Sequence, residues 1–411
     1  MKRLRTVGVV GIGLASWFSL ACGGGSSSSA TTTSTSTTNG NSQTGANVAP
    51  IVINSGPAGG YADGAFANVT VCVPGTSTCQ TIDGVLVDTG STGLRLLSSA
   101  LTVSLTQQNT SSGNPVVECL RFVDSYTWGP VQTADVEIAG EKASSLPIQV
   151  INGSEFSVPS GCTKSSSNSA DTLETLGANG ILGVGLFTQD CGAACVQTGT
   201  TNPGLYYECS STSSCQLTGE SLTQQVQNPI SLFAKDNNGV IIELPAVSSP
   251  EVTLSGSLIF GIGTESNNAL NGATIYTAND YGDFTATYTG VSGKAGSYTS
   301  FIDSGSNGYF FLDSAIPGIP DCADVGGFYC PATTQNITAT VQGANGASDS
   351  VSFSIANADT LFNTDNGNDT VFSQLGGPAM DTFDFGLPFF FGRNVYTGMQ
   401  SSAYPDGYWA Y

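Results

Sequence analysis

Two short segments place an aspartate at the end of an apolar run and follow it with a hydroxyl residue, glycine and serine. They are Gly84-Val-Leu-Val-Asp-Thr-Gly-Ser91 and Thr299-Ser-Phe-Ile-Asp-Ser-Gly-Ser306, whose acids are Asp88 and Asp303. Two carboxylates held about 3 Å apart cannot both ionise, so one keeps a proton and the pair titrates as a unit. Such a pair offers a base and an acid in one place. That is enough to activate water for attack on an amide carbonyl and to return a proton to the leaving nitrogen. The chain contains no histidine, which removes Ser-His-Asp and Cys-His catalysis and the HExxH metalloenzymes. Asp88 and Asp303 are therefore the candidate catalytic groups, and neither a metal nor an organic cofactor is expected.

The flanking residues suit that role. Gly90 and Gly305 let the backbone turn sharply beside each carboxylate. The hydroxyls of Ser91 and Ser306, with nearby peptide N–H groups, can donate to the aspartates and fix their orientation. Thr89 and Ser304 are placed to brace the two turns against each other. One Asp-Ser/Thr-Gly-Ser segment alone reads as an ordinary turn; two of them, each behind apolar residues, read as a functional pair.

The elements around the motifs repeat as well. The first motif is followed by Ile181-Leu-Gly183 and the second by Phe383-Asp-Phe-Gly386, so an internal duplication is expected, with two similar lobes related by a pseudo-twofold axis that brings Asp88 and Asp303 together. Most of the chain consists of short alternating runs such as Ala134-Asp-Val-Glu-Ile138, bounded by Gly, Asn, Ser and Pro, which predicts an all-β fold. One helix is expected from Ser221 to about Ala234, on the spacing of Leu222, Val226, Ile230 and Phe233. Phe389-Phe-Phe391 and Tyr408-Trp-Ala-Tyr411 read as core strands.

The N-terminus carries Lys2, Arg3 and Arg5, an apolar run from Val7 to Leu20, and then Ala21-Cys22. This is the layout of a secretory signal peptide over residues 1–22, and the run is too short to span a bilayer. A small residue before Cys22 resembles a lipobox, which makes Cys22 a candidate lipidation site; plain signal cleavage is the alternative. Residues 23–47 are almost wholly Gly, Ser, Thr and Asn, the composition of a flexible tether. The expected setting is the cell envelope, with membrane contact only through a lipid on Cys22.

Eleven cysteines leave ten once Cys22 is set aside, and an exported chain uses such cysteines in disulfides. Close spacings suggest Cys72 with Cys79, Cys191 with Cys195, Cys209 with Cys215 and Cys322 with Cys330, leaving Cys119 for Cys162, although spacing does not fix connectivity. Ten basic residues against 31 acidic ones give a net charge of −21, which excludes nucleic acid as a natural partner. Repulsion of that size is relieved at low pH.

Val87-Asp-Thr-Gly-Ser-Thr-Gly-Leu-Arg-Leu96 and Phe301-Ile-Asp-Ser-Gly-Ser-Asn-Gly308 resemble the two active-site segments of pepsin-like aspartic peptidases. Asn179-Gly-Ile-Leu-Gly-Val184 is similar to the segment beneath the first aspartate of that family, and Gly256-Ser-Leu-Ile-Phe-Gly261 to the strand where its lobes join. The resemblance implies a bilobal β fold with a central cleft, with an N-terminal lobe over 48–265 and a C-terminal lobe over 266–411. It also implies an acid-favouring endopeptidase that acts as a monomer on polypeptide between apolar or aromatic residues. Trp128-Gly-Pro-Val131, and Asn228-Pro229 followed by Asp236-Asn-Asn-Gly239, resemble a family of bacterial envelope proteins of unassigned function in the same clan.

Several departures stand out. Phe122 sits where the flap of pepsin-like enzymes carries a tyrosine, so Phe122, Tyr126 and Trp128 either cover a substrate or serve as cross-strand packing. Arg95 replaces a usual tryptophan, and Phe383-Asp-Phe-Gly386 carries an acid, Asp384, in an apolar motif; both bear on subsite geometry and not on the pair. Residues 187–219 read as an inserted, disulfide-stapled surface loop. The other reading is a peptidase-like fold that binds polypeptide or glycan without cutting it.

Overall fold

Along the strand Gly64–Cys72, Ala65, Ala67, Val69 and Val71 are buried while Asn68 is exposed, the period of two that packs one face of a sheet. A computed structural model of the chain describes residues 45–164 and 168–411. The signal-like stretch, Cys22 and the tether up to residue 44 lie outside the described residues. The fold is all-β and bilobal. A 16-stranded sheet takes in the strands from Val48–Asn54 to Leu254–Phe260, and a 7-stranded sheet holds those from Phe284–Thr289 to Thr382–Phe385.

The duplicated motifs fold into duplicated topology. Cys79–Asp88 runs parallel to Gly180–Val184, and Thr92–Leu97 returns antiparallel on the far side of that same strand. In the smaller sheet Ala295–Ile302 runs parallel to Thr382–Phe385, with Tyr309–Phe311 antiparallel to it. Each aspartate thus leaves its strand beside a trailing strand that wedges under the turn. The trailing glycines are sterically required: a Cβ on Gly183 would sit 2.8 Å from the Gly93 and Thr92 backbone, and one on Gly386 only 2.1 Å from the Gly308 carbonyl oxygen.

Strands from the far end of the chain close the larger sheet. Gly239–Glu243 pairs with Asn394–Gly398, which pairs with Tyr408–Ala410, which pairs with Ile275–Thr277. Trp409 is buried there. One apolar cluster runs from Ile51 and Val87 through Ile230 and Phe260 to Phe311 and Phe385, so both Asp-bearing strands rest on a common core.

Five disulfides are formed, Cys72–Cys79, Cys119–Cys162, Cys191–Cys195, Cys209–Cys215 and Cys322–Cys330, each as its spacing suggested. Bonds of this number mark a chain that folds in an oxidising compartment, as extracellular and envelope proteins do. Among the described residues no helix is long and apolar enough to cross a membrane.

Three expectations are corrected. Residues 221–234 do not form the expected helix; they make turns and a short 3-10 segment, Pro229–Leu232. Asn228, extended ahead of Pro229 as the ring demands, caps that segment by accepting a hydrogen bond from the Ile230 N–H at 3.1 Å. Val226 and Ile230 pack into different clusters, and Leu222 is exposed. Phe389 and Phe390 are buried as expected, but in a 3-10 turn, Leu387–Phe390, begun by Pro388 and not in a strand. The insertion is more than a loop. Its strand Tyr206–Ser211 pairs with Val116–Arg121 and with Ser214–Leu217, widening the sheet behind the flap hairpin.

Candidate active site

The two turns meet at the centre of the molecule. Asp88, Asp303, Ser304 and Ser306 are fully buried, and Thr89 and Ser91 nearly so. Asp88 accepts hydrogen bonds from the N–H groups of Gly90 at 2.8 Å and Ser91 at 3.1 Å, and from the Ser91 hydroxyl. Asp303 accepts from the Gly305 N–H at 2.8 Å and from the Ser306 hydroxyl at 2.9 Å. The carboxyl groups of Asp88 and Asp303 adjoin, close enough for the charge of Asp88 to raise Asp303. A Cβ on Gly305 would lie 2.8 Å from the Asp88 carboxyl carbon and 3.2 Å from Asp303 Oδ1, so only glycine lets the acids close.

The bracing is reciprocal. The Thr89 hydroxyl accepts from the Ser304 N–H at 2.9 Å and donates to the Ile302 carbonyl at 3.0 Å. The Ser304 hydroxyl accepts from the Thr89 N–H at 3.1 Å and donates to the Val87 carbonyl at 2.7 Å. Each hydroxyl spans from one turn to the strand that carries the other aspartate, so the separation of the acids is set by four buried bonds. Thr89→Val keeps the shape but leaves the Ser304 N–H and Ile302 carbonyl unpaired. It is expected to cost about 2–4 kcal/mol of stability by denaturant titration.

Electrostatics act strongly on Asp303. Burial, then the charge of Asp88, then that of Asp384 hold the Asp303 carboxyl well above the usual carboxylate range. The pair is therefore one that holds a single proton between its members, and Asp88 is ringed by donors. Asp384 belongs to the Phe383-Asp-Phe-Gly386 motif, where the sequence places an acid among apolar residues.

Two cavities lie beside the two turns. One, of about 420 Å³, is lined by Gly90, Ser91, Phe122, Tyr281, Phe301 and Trp409 among others. The other, of about 600 Å³, is lined by Asn307, next to the second turn, and by Tyr61, whose phenol is raised by burial and then by the charges of Asp88 and Asp303. The flap hairpin pairs Val116–Arg121 with Tyr126–Ile138, and Phe122 begins its tip. Of the three flap aromatics Phe122 lines the first of these cavities. Tyr126 and Trp128 pack behind the hairpin with Phe156, Tyr207 and the Cys119–Cys162 bond, and Trp128 donates its ring N–H to the Phe156 carbonyl at 2.8 Å. Their place is cross-strand packing.

A family sequence model matches residues 43–411, nearly the whole chain. The chain belongs to the family DUF3443. That family is described as a protein of unknown function. No curated protein matches the sequence. In three dimensions the DUF3443 chain is similar to the aspartic proteinase of Irpex lacteus, with a TM-score of 0.52, 17% identity, and coverage of 88% of this chain and 96% of that one. At that identity the likeness is one of fold, and it makes the fold of this family member pepsin-like.

A second charged cluster lies beneath the flap. Arg95, fully buried, donates to Glu118 Oε1 at 2.7 Å, to Asp190 Oδ2 at 3.0 Å and to the Thr92 carbonyl at 2.7 Å. The Tyr206 hydroxyl donates to Asp190 Oδ1 at 2.7 Å and accepts from the Val226 N–H. Burial, then the charge of Glu118, raises the Asp190 carboxyl well above its ordinary range. The departure at Arg95 is therefore compensated: Asp190, Cys191 and Tyr206 from the inserted segment come with it. Arg95→Met would leave two buried acids without a cation. The expected cost is about 3–5 kcal/mol at pH 7, shrinking toward pH 4 as Asp190 takes up a proton, measurable by urea unfolding at both pH values.

Asp190, Glu118 and Tyr61 escaped sequence reasoning. The apolar pattern around Asp384 was a usable signal, since an acid inside a core motif needs a reason. Tyr61 follows Gly59-Gly60 in a loop with no periodicity to point at the cleft.

Proposed function

We propose that the chain is an aspartic endopeptidase in which Asp88 and Asp303 activate a water between them. The observation that carries this reading is the pair of buried, adjoining carboxyls whose turns are locked by reciprocal Thr89 and Ser304 bonds. Asp88 takes a proton from the water as its oxygen attacks the peptide carbonyl carbon. Protonated Asp303 donates to the carbonyl oxygen as charge develops there. The proton on Asp88 then passes to the departing nitrogen, the C–N bond breaks, and the dyad regains its single proton when Asp303 recovers its own from the collapsing hydroxyl. Cavities beside the two turns suit an extended polypeptide, and Phe122, Phe301, Tyr281 and Trp409 favour apolar or aromatic residues next to the cut. With a signal peptide and Cys22 at its start, the enzyme would act in the envelope, anchored by lipid and as a monomer.

The test is digestion of a denatured protein at pH 3 to 7, with and without a peptide whose scissile amide is replaced by a hydroxyl-bearing isostere. Cleavage that this mimic blocks supports the reading, and no cleavage at any pH removes it. One observation favours a second reading, a non-cutting polypeptide- or glycan-binding module: the flap tip offers Phe122, which has no hydroxyl to join the site. Binding that survives Asp88→Asn unchanged, with no cleavage by either protein, would support it.

A further inference from the structure

The cavity on the Asn307 side differs from its neighbour in charge and in unmet bonding capacity. Its deep wall is aromatic, formed by Phe328, Phe372 and Tyr61, and its rim carries Glu174, Asp365 and Asp369. No lysine or arginine lines it, whereas Arg121 lines the other cavity. An acidic rim alone is common in a chain of net charge −21. Two buried atoms on residues of the cavity wall make this one specific. The Tyr61 hydroxyl, on a residue 6% exposed, and Asn307 Oδ1, on a residue 3% exposed, have no hydrogen-bond partner. Buried polar atoms without partners are costly and rare, so each is best explained by a group that arrives with the ligand. Both atoms can accept a hydrogen bond.

The ligand that answers all three features is a cation on an apolar stem: donors for Tyr61 and Asn307, positive charge for the rim, and methylenes for the aromatic wall. We propose that this cavity is a subsite for a lysine or arginine side chain of the bound polypeptide, at one fixed position on the Asn307 side of the dyad. The inference deepens the peptidase reading and rests on it for its role in cleavage. Apolar residues would then sit beside the cut while a basic residue further along the chain selects the register.

Binding tests this apart from cutting. The exported full chain carrying Asp88→Asn is titrated, by fluorescence anisotropy, with labelled peptides in which one lysine is moved step by step through an uncharged sequence. A gain of about 10-fold in affinity is expected at one position only, the worth of a charge-assisted bond. The gain should vanish in Glu174→Gln/Asp365→Asn/Asp369→Asn and persist in Glu155→Gln/Asp313→Asn/Asp349→Asn, which removes as much charge elsewhere. Tyr61→Phe, which keeps the ring against Phe66, should cut the gain by about 3-fold. Equal affinity at every lysine position, or equal loss in the control variant, overturns the proposal. Failure of the unmodified chain to cleave would sink the peptidase reading and leave this binding result standing.

Discussion

Asp88→Asn and Asp303→Asn should each lower kcat/KM for peptide cleavage by about 10⁴ or more, and the double variant should be little worse than either single one, because the two acids act as a unit. Asparagine preserves size and still accepts from Gly90 or Gly305, so both variants should fold. What they lose is the exchange of one proton between two carboxyls. The unmodified protein should show a bell-shaped pH dependence of kcat/KM, whose two limbs belong to the pair and not to either residue. Asp303, raised by burial and by Asp88 and Asp384, sets the direction: the upper limb lies above the usual carboxylate range. Asp384→Asn removes one raising charge and should move that limb to lower pH.

Stability should be highest in acid and fall by several kcal/mol between about pH 4 and pH 8. Burial is the leading reason that Asp63, Asp124, Asp190, Asp303 and Glu220 are all raised, with Glu220 moved from 4.5 to about 7. A carboxyl that is harder to ionise when folded contributes its stability fully below the unfolded value, and that contribution is lost as pH rises through the folded value. For Glu220 the window therefore runs from 4.5 to about 7, about 3.5 kcal/mol at about 1.4 kcal/mol per unit and about 2–3 kcal/mol once solvent screening of the carboxyl is discounted. Asp63 adds to the trend, being fully buried, with one oxygen accepting from the Phe372 N–H and the other unpartnered. Glu220→Gln should recover stability at pH 8 and change little at pH 4, as read from denaturant midpoints. A flat profile from pH 4 to 8 would contradict this account.

Much of the site was legible because its logic is local. Asp, hydroxyl and glycine at fixed offsets behind an apolar strand specify a turn and its donors, and duplication of the pattern implies two lobes and a meeting point. The trailing glycines were legible for the same steric reason. The segment at 221–234 misled because Leu222, Val226, Ile230 and Phe233 have helical spacing, yet Pro229 and the Asn228 cap impose extended backbone at the centre. The Arg95 cluster could not be foreseen, since its partners, Glu118 and Asp190, lie far along the chain and meet only when the insertion folds against the flap. Tyr126 and Trp128 have the composition of a substrate cover; the neighbouring strand Tyr206–Ser211 decides that they pack inward.

The central claim is tested most directly by mapping, by mass spectrometry, the new termini in a peptide library incubated at pH 4 with the unmodified protein and, in parallel, with Asp303→Asn. The account predicts new termini flanked by apolar or aromatic residues with the unmodified protein and none above background with the variant. Equal cleavage by both would place the chemistry elsewhere, and no cleavage by either would contradict the peptidase reading.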